Sequence, residues 1–331
     1  MNPRMRPRLI GRSCLVAWLA VFSRLAAQEL QPQELAFCLT KDRTTDIYAV
    51  DLAGRNQKQL TFGGSDHAPC WSPDGRCIAF HSHRSGGWKI HVLELSLVGE
   101  GRVRRLTESQ PGGFRYEYFP AWSPDGRSIA FERWDPQQKN FEIHVVSTDG
   151  KNEANLTKHS AHDRQPVWSP DGSQILFTSQ RDGNAEIYRM RADGSEVTNL
   201  THNHASDYAA AWSPSGQRIL FHSNRDGKFR TYVMDQDGKQ AKAVDGMTAV
   251  DHAQGWTERD SSTDSIPFRA LRSSAQVFAS DDSVLVTSHR SGSEGVYLVS
   301  LKRHNVRKVV DTELREFLPA LRPLSRDAAG H

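Results

Sequence analysis

Five residues ahead of Trp71, Trp122, Trp168, Trp212 and Trp256 the chain places an acid each time: Asp66, Glu117, Asp163, Asp207 and Asp251. A sixth, Glu316, stands five before Leu321. Six carboxylates gathered in one place could hold a cation or form an acidic funnel for a basic peptide tail. A second periodic set competes with that reading. Four residues past the apolar Phe or Val of each copy stand Lys41, Arg84, Asp135, Arg181, Arg225 and Arg290, basic in all but one case. One acid and one base per copy also describes structural ion pairs, the usual condition of charges held away from water. Glu117 has Asp135 as its counterpart and is expected to be the freer carboxylate.

Histidines gather in the same stretches: His67, His159, His162, His202, His204 and His252. With Asp163 and Asp207 close in sequence, His159, His162, His202 and His204 are candidate ligands for a transition metal, since imidazole and carboxylate are suitable donors. Their spacing matches no zinc signature, and solvated loop histidines are the simpler account. A divalent metal is the one cofactor these residues suggest. No motif of nucleophile or phosphate chemistry is visible: there is no Gly-x-Ser-x-Gly, His-Glu-x-x-His or Gly-x-x-x-x-Gly-Lys. No catalytic residue is assigned. Trp88 and Trp134 lie outside the periodic tryptophan position and are candidates for ligand contact.

What must position these residues is a repeat. Trp71-Ser-Pro-Asp-Gly returns at Trp122 and Trp168, and as Trp-Ser-Pro-Ser-Gly at Trp212; the tryptophans are 51, 46, 44 and 44 residues apart, ending at Trp256. Each copy continues with an apolar strand (Ile78-Ala79-Phe80 and its equivalents), a polar turn such as Ser179-Gln180-Arg181-Asp182-Gly183, a β-rich strand, an Asp-Gly turn and a Leu-Thr strand. Four short strands at this period mark a propeller blade. Residues 35–61 supply the last three strands of a unit lacking its first, residues 284–310 form a late copy, and residues 316–323 have the shape of a lone first strand. The expected fold is therefore an all-β, six-bladed β-propeller of four-stranded blades, its ring closed by pairing the N- and C-terminal strands. After Trp256 the turn motif is lost. Residues 257–276 read as an insertion loop that could contact a partner, although another alignment starts that blade's first strand near Val277-Phe278-Ala279.

The repeated Trp-Ser-Pro-Asp-Gly, the Ser-x-Arg-Asp-Gly turns and the Leu-Thr strands resemble the β-propeller repeats of the TolB family, over residues 34–325. That resemblance implies a periplasmic protein with an envelope partner such as a Pal-like lipoprotein. TolB carries an α/β domain before its propeller. Here the repeats begin within about ten residues of an expected cleavage site, so that domain is expected to be absent.

The cleavage site follows from the front end. Residues 1–27 hold five arginines and no acid, and Leu15–Phe22 is a short apolar run ahead of Leu25-Ala26-Ala27. This is the pattern of a secretory signal peptide cut after Ala27, the apolar run being about half the ~20 residues of a membrane span. A linker at 28–33 and a tail at 326–331 flank the propeller at 34–325. Without residues 1–27 the chain carries 37 basic and 39 acidic side chains, a net −2, so nothing marks it as a nucleic-acid binder. Export leaves Cys38, Cys70 and Cys77. Cys70 and Cys77 flank one turn and could bridge in an oxidising compartment, or pack as two free thiols. Function is expected to be that of an exported, non-enzymatic protein- or peptide-binding module of the periplasm or envelope, secreted if not retained. The alternative is a metal-assisted lyase or hydrolase acting on a carbohydrate or small substrate.

Overall fold

The computed structural model describes residues 34–51, 53–96, 101–108, 116–244, 276–280, 282–288, 295–301, 306–311 and 320–321. The signal peptide, the linker, most of the 257–276 insertion, the tail, Asp251, His252, Trp256, Arg290 and Glu316 lie outside them.

The apolar triplets set the architecture. Leu35-Ala36-Phe37, Ile78-Ala79-Phe80, Ile129-Ala130-Phe131, Ile175-Leu176-Phe177 and Ile219-Leu220-Phe221 are all without solvent exposure. A triplet buried at every position belongs to a strand covered on both faces, which is why these strands read as continuous rather than alternating apolar runs. Alternate residues serve alternate neighbours. Ala79 packs with Ile129 and Phe131 of the following sheet, while Ile78 and Phe80 pack with Ala36 and Ile47 of the preceding one. The core therefore lies between sheets, in a stack that curves into a ring. Burying each phenylalanine contributes about 1.5–3 kcal/mol.

Every sheet is four-stranded. Blade I comprises β4 (Asp66–Trp71), β5 (Cys77–Ser82), β6 (Lys89–Glu94) and β7 (Arg102–Arg105). Blade II comprises β8 (Glu117–Trp122), β9 (Ser128–Asp135), β10 (Asn140–Ser147) and β11 (Glu153–Asn155). Blade III comprises β12 (Asp163–Trp168), β13 (Gln174–Ser179), β14 (Glu186–Arg191) and β15 (Thr198–Asn199). Blade IV comprises β16 (Asp207–Trp212), β17 (Arg218–Ser223), β18 (Arg230–Asp235) and β19 (Lys242–Ala243). Blade V comprises β20 (Gln276–Ser280), β21 (Ser283–Ser288), β22 (Gly295–Ser300) and β23 (Val306–Asp311).

The expected six-bladed ring is corrected by this topology. The chain builds five blades, each from one uninterrupted run of strands, and its two ends meet in a separate closing sheet, ordered β24 (Ala320–Leu321), β1 (Glu34–Lys41), β2 (Thr44–Asp51), β3 (Lys58–Gln59). This sheet keeps the buried triplet Leu35-Ala36-Phe37 of the repeat but is not built from one run of strands. Its inner strand is two residues long, joined to β1 through Leu35↔Leu321 and Ala36↔Ala320 alone, and it has neither the tryptophan nor the Ser-Pro-Asp-Gly turn that follows it. Blade V departs as well. Its first strand is β20, the position given by the other alignment, and not a strand ending at Trp256.

The first strands β4, β8, β12, β16, β20 and β24 neighbour one another in sequence around the ring and so line its axis. Strands β4, β8, β12 and β16 each carry a bulge, with Ala68, Phe119, Gln165 and Ala209 at φ of 50–55°. At the far end of these strands the Ser-Pro-Asp-Gly turns close on themselves. Ser72 Oγ donates to Asp74 (2.6 Å) and accepts from Cys77 N (2.9 Å), and the sets at Ser123 and Ser169 repeat this geometry.

Candidate functional site: the acidic rim of the channel

The acid that begins each inner strand is fully buried in Asp66, Glu117, Asp163 and Asp207. These four stand at one rim of the channel, opposite the Ser-Pro-Asp-Gly turns. Three take the partner that the repeat spacing predicts. Arg84 pairs with Asp66, Arg181 NH2 lies 3.0 Å from Asp163, and Arg225 NH2 lies 3.0 Å from Asp207. The same arginines lie over the blade's core ring: Arg181 sits 5.5 Å from the Phe177 centroid and 4.8 Å from that of Tyr188. Burial pushes the Asp163 carboxyl above its usual range, against the pull of Ser179 and Arg181. Asp207 accepts from Asn203 as well (2.7 Å), while its Oδ1 has no protein partner among the described residues.

Glu117 overturns the expectation that it is freer. Lys89 of blade I reaches it at 3.0 Å, Arg133 at 3.0 Å, and Ile90 N and Thr107 Oγ1 donate to its other oxygen. The reason lies in a set of acids the repeat analysis missed. At the start or near the start of the third strand, Asp46, Glu142 and Glu186 are buried and hold the loop that follows the Leu-Thr strand. Glu142 accepts from Asn140 (2.7 Å), His159 N (3.0 Å) and Thr157 Oγ1; Glu186 accepts from Asn184 (2.8 Å), Asn203 N (2.8 Å) and Thr201 Oγ1. The Leu-Thr threonines thus donate to these acids while accepting from Ile143 N and Ile187 N, 3.0 Å each. In blade I that position is Lys89. The missing carboxylate is supplied by the next blade's Glu117, long enough to reach both Thr107 and Lys89. The available signal was the acid before an isoleucine in Asp46-Ile47, Glu142-Ile143 and Glu186-Ile187.

The histidines do not converge. His159 Nδ1 accepts from Ala161 N and His162 Nδ1 from Phe141 N, both at 3.1 Å, so neither of these nitrogens is offered to a ligand. Burial and the Arg164 charge lower the His162 pKa. His202 and His204 are exposed on their loop. Among the described residues no three His, Cys, Asp or Glu side chains are grouped to hold a metal ion.

What the rim does gather is aromatic. Trp88 packs against His67 (5.4 Å), His81 (5.5 Å), His83 (5.5 Å) and Tyr118 (5.8 Å). Tyr118 continues to Phe141 (6.0 Å), which meets Trp134 (5.2 Å) and carries the Arg164 guanidinium at 4.0 Å. Tyr116, stacked on Tyr118, is 41% exposed, and both tryptophans are half-buried. Trp88 and Trp134, singled out for standing off the repeat, are therefore parts of one row running across blades I and II. The periodic tryptophans instead join sheets: Trp71 Nε1 donates to Ala320 O (3.1 Å) and Trp168 Nε1 to Ala121 O (3.2 Å).

Cys70 and Cys77 are free thiols, as is the buried Cys38. The register sets Ala79 opposite Cys70 and leaves the two cysteines diagonal rather than facing. Burial pushes the Cys70 thiol up to about 11.

Residues 112–257 match the family model of the TolB beta propeller domain. An uncharacterized protein of Agrobacterium fabrum is 32% identical over 36% of this chain and 41% of its own length. The Tol-Pal system protein TolB of Desulfotalea psychrophila is 26% identical over 33% of this chain and 24% of its own. The chain thus spans less than half of either relative. Among solved structures, TolB from Acinetobacter baumannii superposes with a TM-score of 0.70 at 19% identity, over 92% of this chain and 70% of that one. An oligogalacturonate lyase from Vibrio parahaemolyticus superposes at 0.56 and 14% identity, over 84% and 74%. At these identities the superpositions speak for the fold alone.

Proposed function

Because this chain is a TolB-like β-propeller protein, we propose that it acts as an exported, non-enzymatic module of the cell envelope that binds a protein or peptide at the acidic rim. The observation that carries this reading is the aromatic row at that rim. Tyr116, Trp88 and Trp134 present partly exposed rings on a scaffold fixed by buried ion pairs. Tyr, Trp and Arg supply most of the binding energy in protein interfaces, and pre-fixed side chains lose little entropy on association. The six-carboxylate funnel gives less support, because the described acids are neutralised by their own arginines and Lys89. The Tol-Pal name of the relatives makes a Pal-like lipoprotein the first partner to try.

The test is affinity capture from an envelope extract with the exported chain and with a Tyr116→Ala/Trp88→Phe variant, which keeps most of the ring packing around Trp88. One enriched envelope protein, lost with the variant at an unchanged melting temperature, is the expected result. Equal capture by both forms removes the rim from the reading. The alternative, a metal-assisted lyase or hydrolase, draws on the loop histidines and on the lyase-like fold; metal retained through purification in fixed ratio would favour it.

A further inference from the structure

At the other end of the inner strands, between the turns of blades III and IV, lies a cavity of about 370 Å³. Its walls include Asp171, Gln174, Ser215, Gln217 and Gln236, with Trp212 beside them. The repeat supplies an internal control for each position. Where blades I, II and III hold Asp74, Asp125 and Asp171 in the turn, blade IV holds Ser215. The residue two further on, Arg76, Arg127 or Ser173 in those blades, is Gln217; the residue after the third strand, Leu95, Thr148 or Ala192, is Gln236. The fold asks only for backbone here. Gln236 N donates to Gln217 O at 3.1 Å, as Leu95 N does to Arg76 O, Thr148 N to Arg127 O and Ala192 N to Ser173 O, at 2.9–3.0 Å. Two amides have thus entered positions where sister blades keep the same backbone bond with a charged, hydroxyl or apolar residue. The shorter serine takes the place of a carboxylate beside them.

Trp212 is 8% exposed, and its indole N–H, like that of Trp122 and unlike those of Trp71 and Trp168, which donate to the preceding sheet, has no acceptor among the described residues.

We propose that this cavity binds an uncharged saccharide. Its size falls within the range of small-molecule sites, about 300–1,000 Å³. Amides, a hydroxyl and a single carboxylate provide donors and acceptors side by side, which suits sugar hydroxyls that must do both. Asp171 is held ionised by Ser169 and Ser173, and no cation among the described residues lines the cavity, so phosphates and uronates are disfavoured. Apart from Gln174 and Trp212, which sit at strand ends, the lining residues lie in turns and offer an extended peptide little main chain to pair with. This site is independent of the acidic rim.

The experiment titrates the full exported chain, with ¹⁵N-labelled tryptophan, with maltose and N,N′-diacetylchitobiose, following the indole resonance assigned by Trp212→Phe. A saturable shift with at least one disaccharide is expected. Gln217→Ala/Gln236→Ala should weaken it by about tenfold or more, as loss of two hydrogen bonds to a neutral ligand implies, and Ser215→Asp, which restores the residue of the sister turns, should weaken it as well. The proposal is overturned if neither sugar shifts the resonance by about 50 mM, where even weak millimolar binding would saturate. It is equally overturned by a shift that both variants leave intact, or by a response to N-acetyl-trialanine amide in place of the sugars.

Discussion

Arginine 181 offers the sharpest test of how the rim is held. Its guanidinium, 16% exposed, is the charged partner of the fully buried Asp163 and also bonds Ser179 Oγ at 2.9 Å. Arg181→Ala leaves a carboxylate with no compensating charge, a change that costs about 3–5 kcal/mol at buried pairs. Protonation caps that cost. At about 1.4 kcal/mol for each pH unit between pH 7 and the carboxyl's ordinary 3.8, above which Asp163 already sits, the cap is at most about 4 kcal/mol. For a domain of this size that lowers the melting midpoint by about 6–8 °C. The sign with pH follows. Asp163 already has a raised pKa, and the variant raises it further, so the native state binds the extra proton and stability recovers as pH falls from 7 towards 4. Melting curves at pH 7 and 4.5 should show the deficit shrinking on acidification. Arg181→Ala/Asp163→Asn should recover much of it at pH 7. The control is Arg191→Ala, whose partner Glu196 and itself are 65% and 59% exposed, and which should move the midpoint little. The reasoning fails if Arg181→Ala behaves like Arg191→Ala, or if its deficit grows as the pH is lowered.

Three further outcomes are expected. Trp168→Phe removes a hydrogen bond to Ala121 O and should cost about 1 kcal/mol more than Trp122→Phe, whose N–H has no acceptor among the described residues, as read from urea unfolding of the two variants. Gly194→Ala should destabilise more than Gly183→Ala: both have positive φ, worth about 1–3 kcal/mol of strain, but only at Gly194 does a Cβ meet backbone, 2.8 Å from Leu156 O. Against the upward push of burial, the His144 hydrogen bond and the Arg133 charge hold Glu153 down at about 2. Its stabilisation is therefore complete above the ordinary 4.5 and is lost as pH falls towards 2; Glu153→Gln should flatten acid unfolding over that window.

The strand order, the buried triplets and three of the four described ion pairs were legible in the sequence, because each depends on residues within one repeat. The acid and its arginine are 18 residues apart in Asp66–Arg84, Asp163–Arg181 and Asp207–Arg225, and any copy predicts the next. What escaped involves a neighbour. Glu117 looked unpaired because its cations are Lys89, in the preceding blade, and Arg133, two positions short of the expected place. The third-strand acids were hidden by lying next to isoleucines that read only as strand. The blade count failed at the seam, where a terminal segment shaped like a full strand contributes two paired residues. Blade V's start was misjudged because Trp256 continued the spacing of 44 while the strand lies some twenty residues later. The cavity beside Trp212 rests on Ser215 and Gln217 in one turn and Gln236 in another, so no single run of sequence displays it.

The bond from Trp71 Nε1 to Ala320 O spans 249 positions. That distance gives the molecule a schedule. During synthesis blades I to IV can stack in the order they emerge, each covering the last. The open side of β1 and the indole of Trp71 must wait for Ala320 and Leu321, which are made after every blade. Until then the growing stack has one raw edge beside blade I, and the molecule passes through that stage as an arc. The ring becomes a ring only after blade V has been made, and a chain that stalls short of residue 320 carries β1 uncovered on that side throughout.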